Sequence, residues 1–173
     1  LGFDATKKLA VVNQAVKENI QTYLTQFRMV TDAVNIKDAF IINIGVKFNI
    51  IARTGYNKEE VVLQAIQKVR NYFDIDKWQI GQPIVIADIA YQISLTNGVS
   101  SLAPPKEGNP GGLPVVITNK FATSRGYSGN SYNISLATRD GVVYPSLDPS
   151  CFELKFPGTD IEGRVSGDST GGN

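Results

Sequence analysis

Histidine is absent from all 173 residues. That removes the commonest general base, the commonest metal ligand and the base of any Ser-His or Cys-His nucleophile pair. Cysteine occurs once, as Cys151. A single thiol permits no intrachain disulfide and fits a reducing compartment. Without histidine it also excludes an ordinary structural zinc site. There is no Gly-Lys-Ser/Thr phosphate loop, and no Gly-x-Gly-x-x-Gly follows a strand pattern. Neither sign of charge is in excess, with 17 Lys and Arg against 16 Asp and Glu. No basic block argues for nucleic acid, and no apolar run is long enough to span a bilayer. The expectation is therefore a protein with no cofactor, no metal, no nucleic acid and no membrane span. The chain starts at Leu1, without an initiator Met or a secretory signal, and leads almost at once into a helical pattern; it reads as a piece of a longer protein.

What is present is a clear alternation. From Phe40 to Ile50 every even position is apolar, and Asn43, Gly45, Lys47 and Asn49 stand between them. Period 2 over eleven residues predicts a strand with one face buried and one face wet, and such a face or edge invites a partner. After the turn Arg53–Tyr56, Asn57 can cap a helix, with Glu60 at capping-box spacing. Val61, Val62, Ala65, Ile66, Val69 and Phe73 continue at helical spacing to about residue 73. Asp74-Ile75-Asp76 then ends the helix; a DxD pair can hold a cation, but no further ligands follow at calcium-loop spacing. Residues 83–96 read as a second helix with Pro83 in its first turn. Gly98 takes a left-handed position beyond it, and 99–103 returns as a strand to pair with the long one. A hairpin turning at Asn97-Gly98 is the alternative for this stretch.

Before this β-α-α-β unit, residues 6–28 predict one long leading helix capped by Asp4 or Thr6. Leu9, Val12, Val16, Ile20, Tyr23, Leu24 and Phe27 form a stripe close to a coiled-coil seam. Such a stripe packs either on its own domain or on another chain. Leu9, Val12, Val16, Ile20, Tyr23 and Phe27 are the candidate partner interface.

Composition changes at the Pro/Gly loop 104–114. Beyond it, Val115–Asn119 and Tyr132–Thr138 read as short strands, Asp140-Gly141 as a hairpin turn into Val142–Tyr144, and Phe152, Leu154 and Phe156 as a further alternation. This zone reads as strands laid on the first unit or as an arm against a neighbouring subunit. The resulting division is a leading helix and connector (1–35), an α+β core (36–103), the loop (104–114), a β-rich or extended region (115–165) and a disordered tail (166–173).

Several phrases in order carry a resemblance. Gly55-Tyr56-Asn57-Lys58-Glu59-Glu60-Val61, Asn71-Tyr72-Phe73, Ile80-Gly81-Gln82-Pro83 and Leu95-Thr96-Asn97-Gly98-Val99 resemble the baseplate-J-like domain of contractile-tail phages. Val143–Pro149, Phe152–Lys155 and Asp160–Val165 bring the chain nearest to the baseplate wedge proteins of large myoviruses within that family. The resemblance spans most of residues 6–165 and implies the C-terminal portion of a structural virion protein. It implies wedge subunits that join into a ring around the tail tube through self-association. It also implies contacts with a second large wedge subunit and with the small sheath-initiating protein, location in the tail baseplate after assembly in host cytoplasm, and no catalytic residues. The loop 104–114 and the Gly-rich end match none of its motifs.

Two further readings compete. A small-molecule-binding regulatory α+β domain would use Gly108–Gly112 as an anion-binding loop, although no Lys or Arg follows it at a helix start. A carboxylate enzyme would draw on Asp32, Asp38, Asp74 and Asp76, with Tyr56 and Trp78 as a stacking platform.

Overall fold

The computed structural model describes residues 1–27 and 34–166. The N-terminal segment forms a two-stranded ribbon, β1 (Gly2–Phe3) with β2 (Leu9–Ala10), followed by α1 (Gln14–Thr25). The long strand β3 (Phe40–Ala52), α2 (Lys58–Tyr72), β4 (Ile84–Val85), α3 (Ile86–Ser94) and β5 (Val99–Ala103) follow. Then come β6 (Val115–Asn119), α4 (Ile134–Ala137), β7 (Thr138–Arg139), β8 (Val142–Val143), β9 (Ser150–Glu153), α5 (Pro157–Asp160) and β10 (Ile161–Val165). The class is α+β.

β3 is the axis of the molecule. Its centre is paired on both edges: β6 runs antiparallel to residues 44–48 while β10 runs parallel to 46–50. β5 extends the antiparallel pairing to Ala52 through a bulge after Ile51, and β9 runs parallel to residues 40–43. Ile42, Ile44, Val46, Phe48 and Ile50 are fully buried in one cluster with Val61, Ala65 and Val69 of α2 and Ile86, Ile89 and Ile93 of α3. The period-2 and period-3.6 patterns meet there, as the sequence predicts. Residues from β6 to β10 join the same cluster, among them Val115, Ile134, Val143, Phe152 and Ile161.

The expected wet face and free edge of β3 are corrected by the structure. Asn43 is completely buried and Gly45 is covered. Chain from after β6 and after β9 lies over this face. Asn43 Nδ2 donates to Glu153 Oε2 at 2.7 Å, and its Oδ1 accepts from the Ser128 amide at 2.8 Å. Ser128 Oγ and Asn130 Nδ2 both donate to the Ile41 carbonyl. A methyl on Gly45 would stand 2.6 Å from Lys120 Cε, 2.8 Å from Thr118 Oγ1 and 3.2 Å from the Asp160 carbonyl oxygen, so the glycine lets this cover lie close.

Local readings divide similarly. Asn57 caps α2 by accepting from the Glu59 and Glu60 amides, but the Glu60 carboxylate pairs with Gln64. α3 starts at Ile86, not Pro83, because Ile84 and Val85 pair with β8. Gly98 does adopt φ +92° before β5. The hairpin at Asp140-Gly141 forms with both residues at positive φ, whereas the strand expected at 132–138 holds the one-turn helix α4, capped by Asn133.

Candidate functional site

The leading helix is shorter than its apolar pattern. Asp4 does not cap it. Its Oδ1 accepts from Thr6 N, Thr6 Oγ1 and Lys8 N and closes the turn between β1 and β2. The true cap is Asn13, whose Oδ1 accepts from Val16 N at 2.9 Å. Residue 28, the expected end of the helix, lies outside the described residues.

This splits the six candidate interface residues. Leu9 sits in β2, half-buried, with its amide donating to Glu153 Oε1 at 2.7 Å. Val12 lies in the connector to α1, half-buried, with its amide donating to Asp38 Oδ1. Val16, Ile20 and Tyr23 remain on α1 and Phe27 follows its C-terminal cap. Offsets of 4, 3 and 4 residues put these four within a sector of about 60°.

No residue of α1 is buried. Val16 is 42 %, Ile20 44 %, Tyr23 60 % and Phe27 72 % exposed, and Leu24 flanks them at 41 %. The Tyr23 and Phe27 rings stand 5.2 Å apart. The helix is tethered through another side: Lys17 pairs with Asp38, and Gln21 Nε2 donates to the Val34 carbonyl at 3.0 Å. Those residues lie about 100° round the helix from the apolar stripe, which their contacts leave uncovered. The Lys17 ammonium beside Asp38 holds that carboxyl below the usual range.

Sequence reasoning missed two neighbouring features. Phe3 and Val11, in the same N-terminal segment, are also mostly exposed. A separate shallow groove near the 140s hairpin exposes Leu136, Tyr144 and Leu147 beside Pro83 and Pro145. Both features involve apolar residues in two-residue strands, loops or one-turn elements, where no periodicity marks them.

The other sequence candidates are scattered. Asp38 is bound to Lys17; Asp74 accepts from the Asp76 amide and pairs with Lys77 in the turn after α2. Asp32 lies outside the described residues. Trp78 stacks in a cluster with Tyr72 and Phe73, while Tyr56 bonds to Asn97. Among the described residues no three His, Cys, Asp or Glu side chains gather as a metal site. In the Gly-rich loop, the Gly112 amide donates to the Asn109 carbonyl and the Leu113 amide to Asn109 Oδ1. Beneath that loop lies a hollow of about 380 Å³, lined by Ile86, Leu113, Val116, Ile117, Ile134 and Val143. Comparison with known proteins adds no relative: no protein-family model matches the chain, and no curated protein matches it.

Proposed function

We propose that this chain is an assembly module, the C-terminal portion of a baseplate wedge protein of a contractile-tail phage. The observation that carries the reading is the apolar stripe on α1, which the contacts of the helix among the described residues leave uncovered. Each large apolar side chain gains about 1.5–3 kcal/mol when fully buried, so a stripe of five is a strong drive toward a partner surface. Monomers rarely leave such a patch open without use. Copies join through this helix, with Phe3 and Val11 enlarging the contact toward the roughly 800 Å² per partner of a standard interface. Symmetric subunits need such self-complementary surfaces. In the intact particle the same protein meets a second large wedge subunit and the small sheath-initiating protein, in a ring around the tail tube. The phrases from Gly55 to Val99 and from Val143 to Val165 support that assignment by resemblance.

The test is a charge placed on the stripe. Val16→Asp and Ile20→Asp abolish self-association and leave the chemical denaturation midpoint nearly unchanged, because neither side chain enters the core. Equal damage to folding would mean that the helix belongs to the core.

A second reading, a small-molecule-binding regulatory domain, draws on the hollow beneath Gly108–Leu113. Its lining is mostly apolar, and the amides of Gly112 and Leu113 are already engaged. The ligand class would therefore be an apolar small molecule and not a phosphate. Saturable thermal stabilisation by such a compound, lost in Val143→Trp, would support it.

A further inference from the structure

A second surface lies between the turn Asp4–Lys8 and the turn formed by α5. Two hollows, of about 280 and 710 Å³, meet where Lys8, Lys155 and Pro157 line both. Six cations line the combined cleft: Lys7, Lys8, Arg70, Lys120, Arg125 and Lys155. Gathering like charges costs free energy that neighbouring carboxylates normally offset. Three carboxylates, Glu153, Asp160 and Asp74, line it as well, so the cations outnumber them six to three. Glu153 accepts from Leu9 N and Asn43 Nδ2, and Asp160 from Tyr127 Oη and Phe156 N. Asp74 pairs with Lys77, outside the cleft lining. Lys120 reaches Glu162 at 4.0 Å; the other five cations have no ion-pair partner among the described residues.

Two of the cations stand in a defined turn. Lys8 Nζ sits 4.0 Å from the centre of the Phe156 ring, an attraction that fixes it at the cleft. Lys7 adopts φ +58°, a left-handed conformation that a lysine takes only at a cost. The Asp4 carboxylate stabilises that turn by bonding to Thr6 and to the Lys8 amide. The turn between β1 and β2 thus sets Lys7 and Lys8 at the cleft.

We propose that this cleft docks an acidic segment of a partner protein. The inference goes beyond self-association and does not depend on it, since no residue of the α1 stripe lines the cleft. Two observations favour a protein segment over nucleic acid. The three rings at the cleft are already engaged: Phe156 carries Lys8 and meets Tyr127 edge-on, and Phe73 is buried against Tyr72 and Trp78. The chain as a whole has a charge of only +1, far from the basic surface that nucleic-acid binding demands.

The test is fluorescence anisotropy of a labelled oligo-glutamate peptide with the whole chain at low ionic strength. Saturable binding that weakens steadily as salt rises is expected. Arg125→Gln combined with Lys155→Gln, two substitutions outside any ion pair, should weaken it roughly tenfold or more. Lys8→Glu should do so as well. Lys106→Glu, which does not line the cleft, should alter binding less than about twofold. No saturable binding, or an equal loss in Lys106→Glu, overturns the proposal. Equal or tighter binding of a single-stranded oligonucleotide also overturns it, in favour of general polyanion binding.

Discussion

Replacing Asn43 by Ala tests how the second face of β3 is closed. Asn43 is fully buried and makes two short bonds, donating to Glu153 and accepting from the Ser128 amide. The substitution strands the Ser128 N–H, at about 1–3 kcal/mol. It also removes one of the two bonds to a buried carboxylate, worth about 1.5–3 kcal/mol for a charged acceptor. The sum is on the order of 3–5 kcal/mol, a large part of a total stability of roughly 5–15 kcal/mol. Equilibrium urea denaturation should show a lower midpoint at unchanged slope, and the melting temperature should fall by about 10–15 °C. Asn49→Ala, on the same face but half-exposed and with no side-chain bond among those described, is the matched control and should cost under about 1 kcal/mol. A loss below about 1 kcal/mol for Asn43→Ala, or equal losses at both sites, would refute the argument that this network seals the face.

Burial holds the Glu153 carboxyl above the usual glutamate range, against the lowering effect of the Leu9 and Asn43 bonds. A raised value in the folded state gives stability that is complete below the ordinary range and lost as pH rises through the raised value. The penalty of Glu153→Gln should therefore be largest in acid and shrink toward neutral pH; a penalty that grows with pH contradicts this. Gly98 and Gly55 share a left-handed φ, but only at Gly98 would a methyl collide, 2.6 Å from Val61 Cγ2 and 2.7 Å from Tyr56 Cδ1. Gly55→Ala should cost about 1–2 kcal/mol and Gly98→Ala a further 1–3 kcal/mol or so, read from paired denaturation curves. Burial, then the nearby Glu153 charge, pushes the Cys151 thiol up to about 11. Thiol reagent should label the native protein at pH 8 at least about a hundredfold more slowly than the unfolded chain; equal rates would show that the β9 region opens freely.

Features written within a few residues were legible. The alternation of β3, the Asn57 cap and the left-handed Gly98 each depend on local chemistry, and each forms. The start of α1 was misread because Leu9 and Val12 continue its apolar spacing by coincidence. The Asp4 carboxylate, a good cap by type, closes a turn instead, and Leu9 is drawn away by Glu153, 144 positions along the chain. The wet face of β3 was misread for the same kind of reason. Asn43 and Gly45 look solvent-exposed in a period-2 pattern, yet Ser128 and Glu153, 85 and 110 positions away, bond to Asn43, and Thr118 and Lys120 cover Gly45. Pro83 suggested a helix start, but pairing of Ile84 and Val85 with β8 overrides it. The stripe residues Val16, Ile20, Tyr23 and Phe27 were visible in the spacing. The basic cleft was not, because its cations come from four separated parts of the chain.

The most direct test of the central reading is mass in solution by light scattering across a dilution series. Assembly through α1 predicts a dimer or larger species that dissociates on dilution and is monomeric throughout in Ile20→Asp. A wild-type chain that stays monomeric at every concentration, or an Ile20→Asp variant that associates as well as wild type, would contradict it.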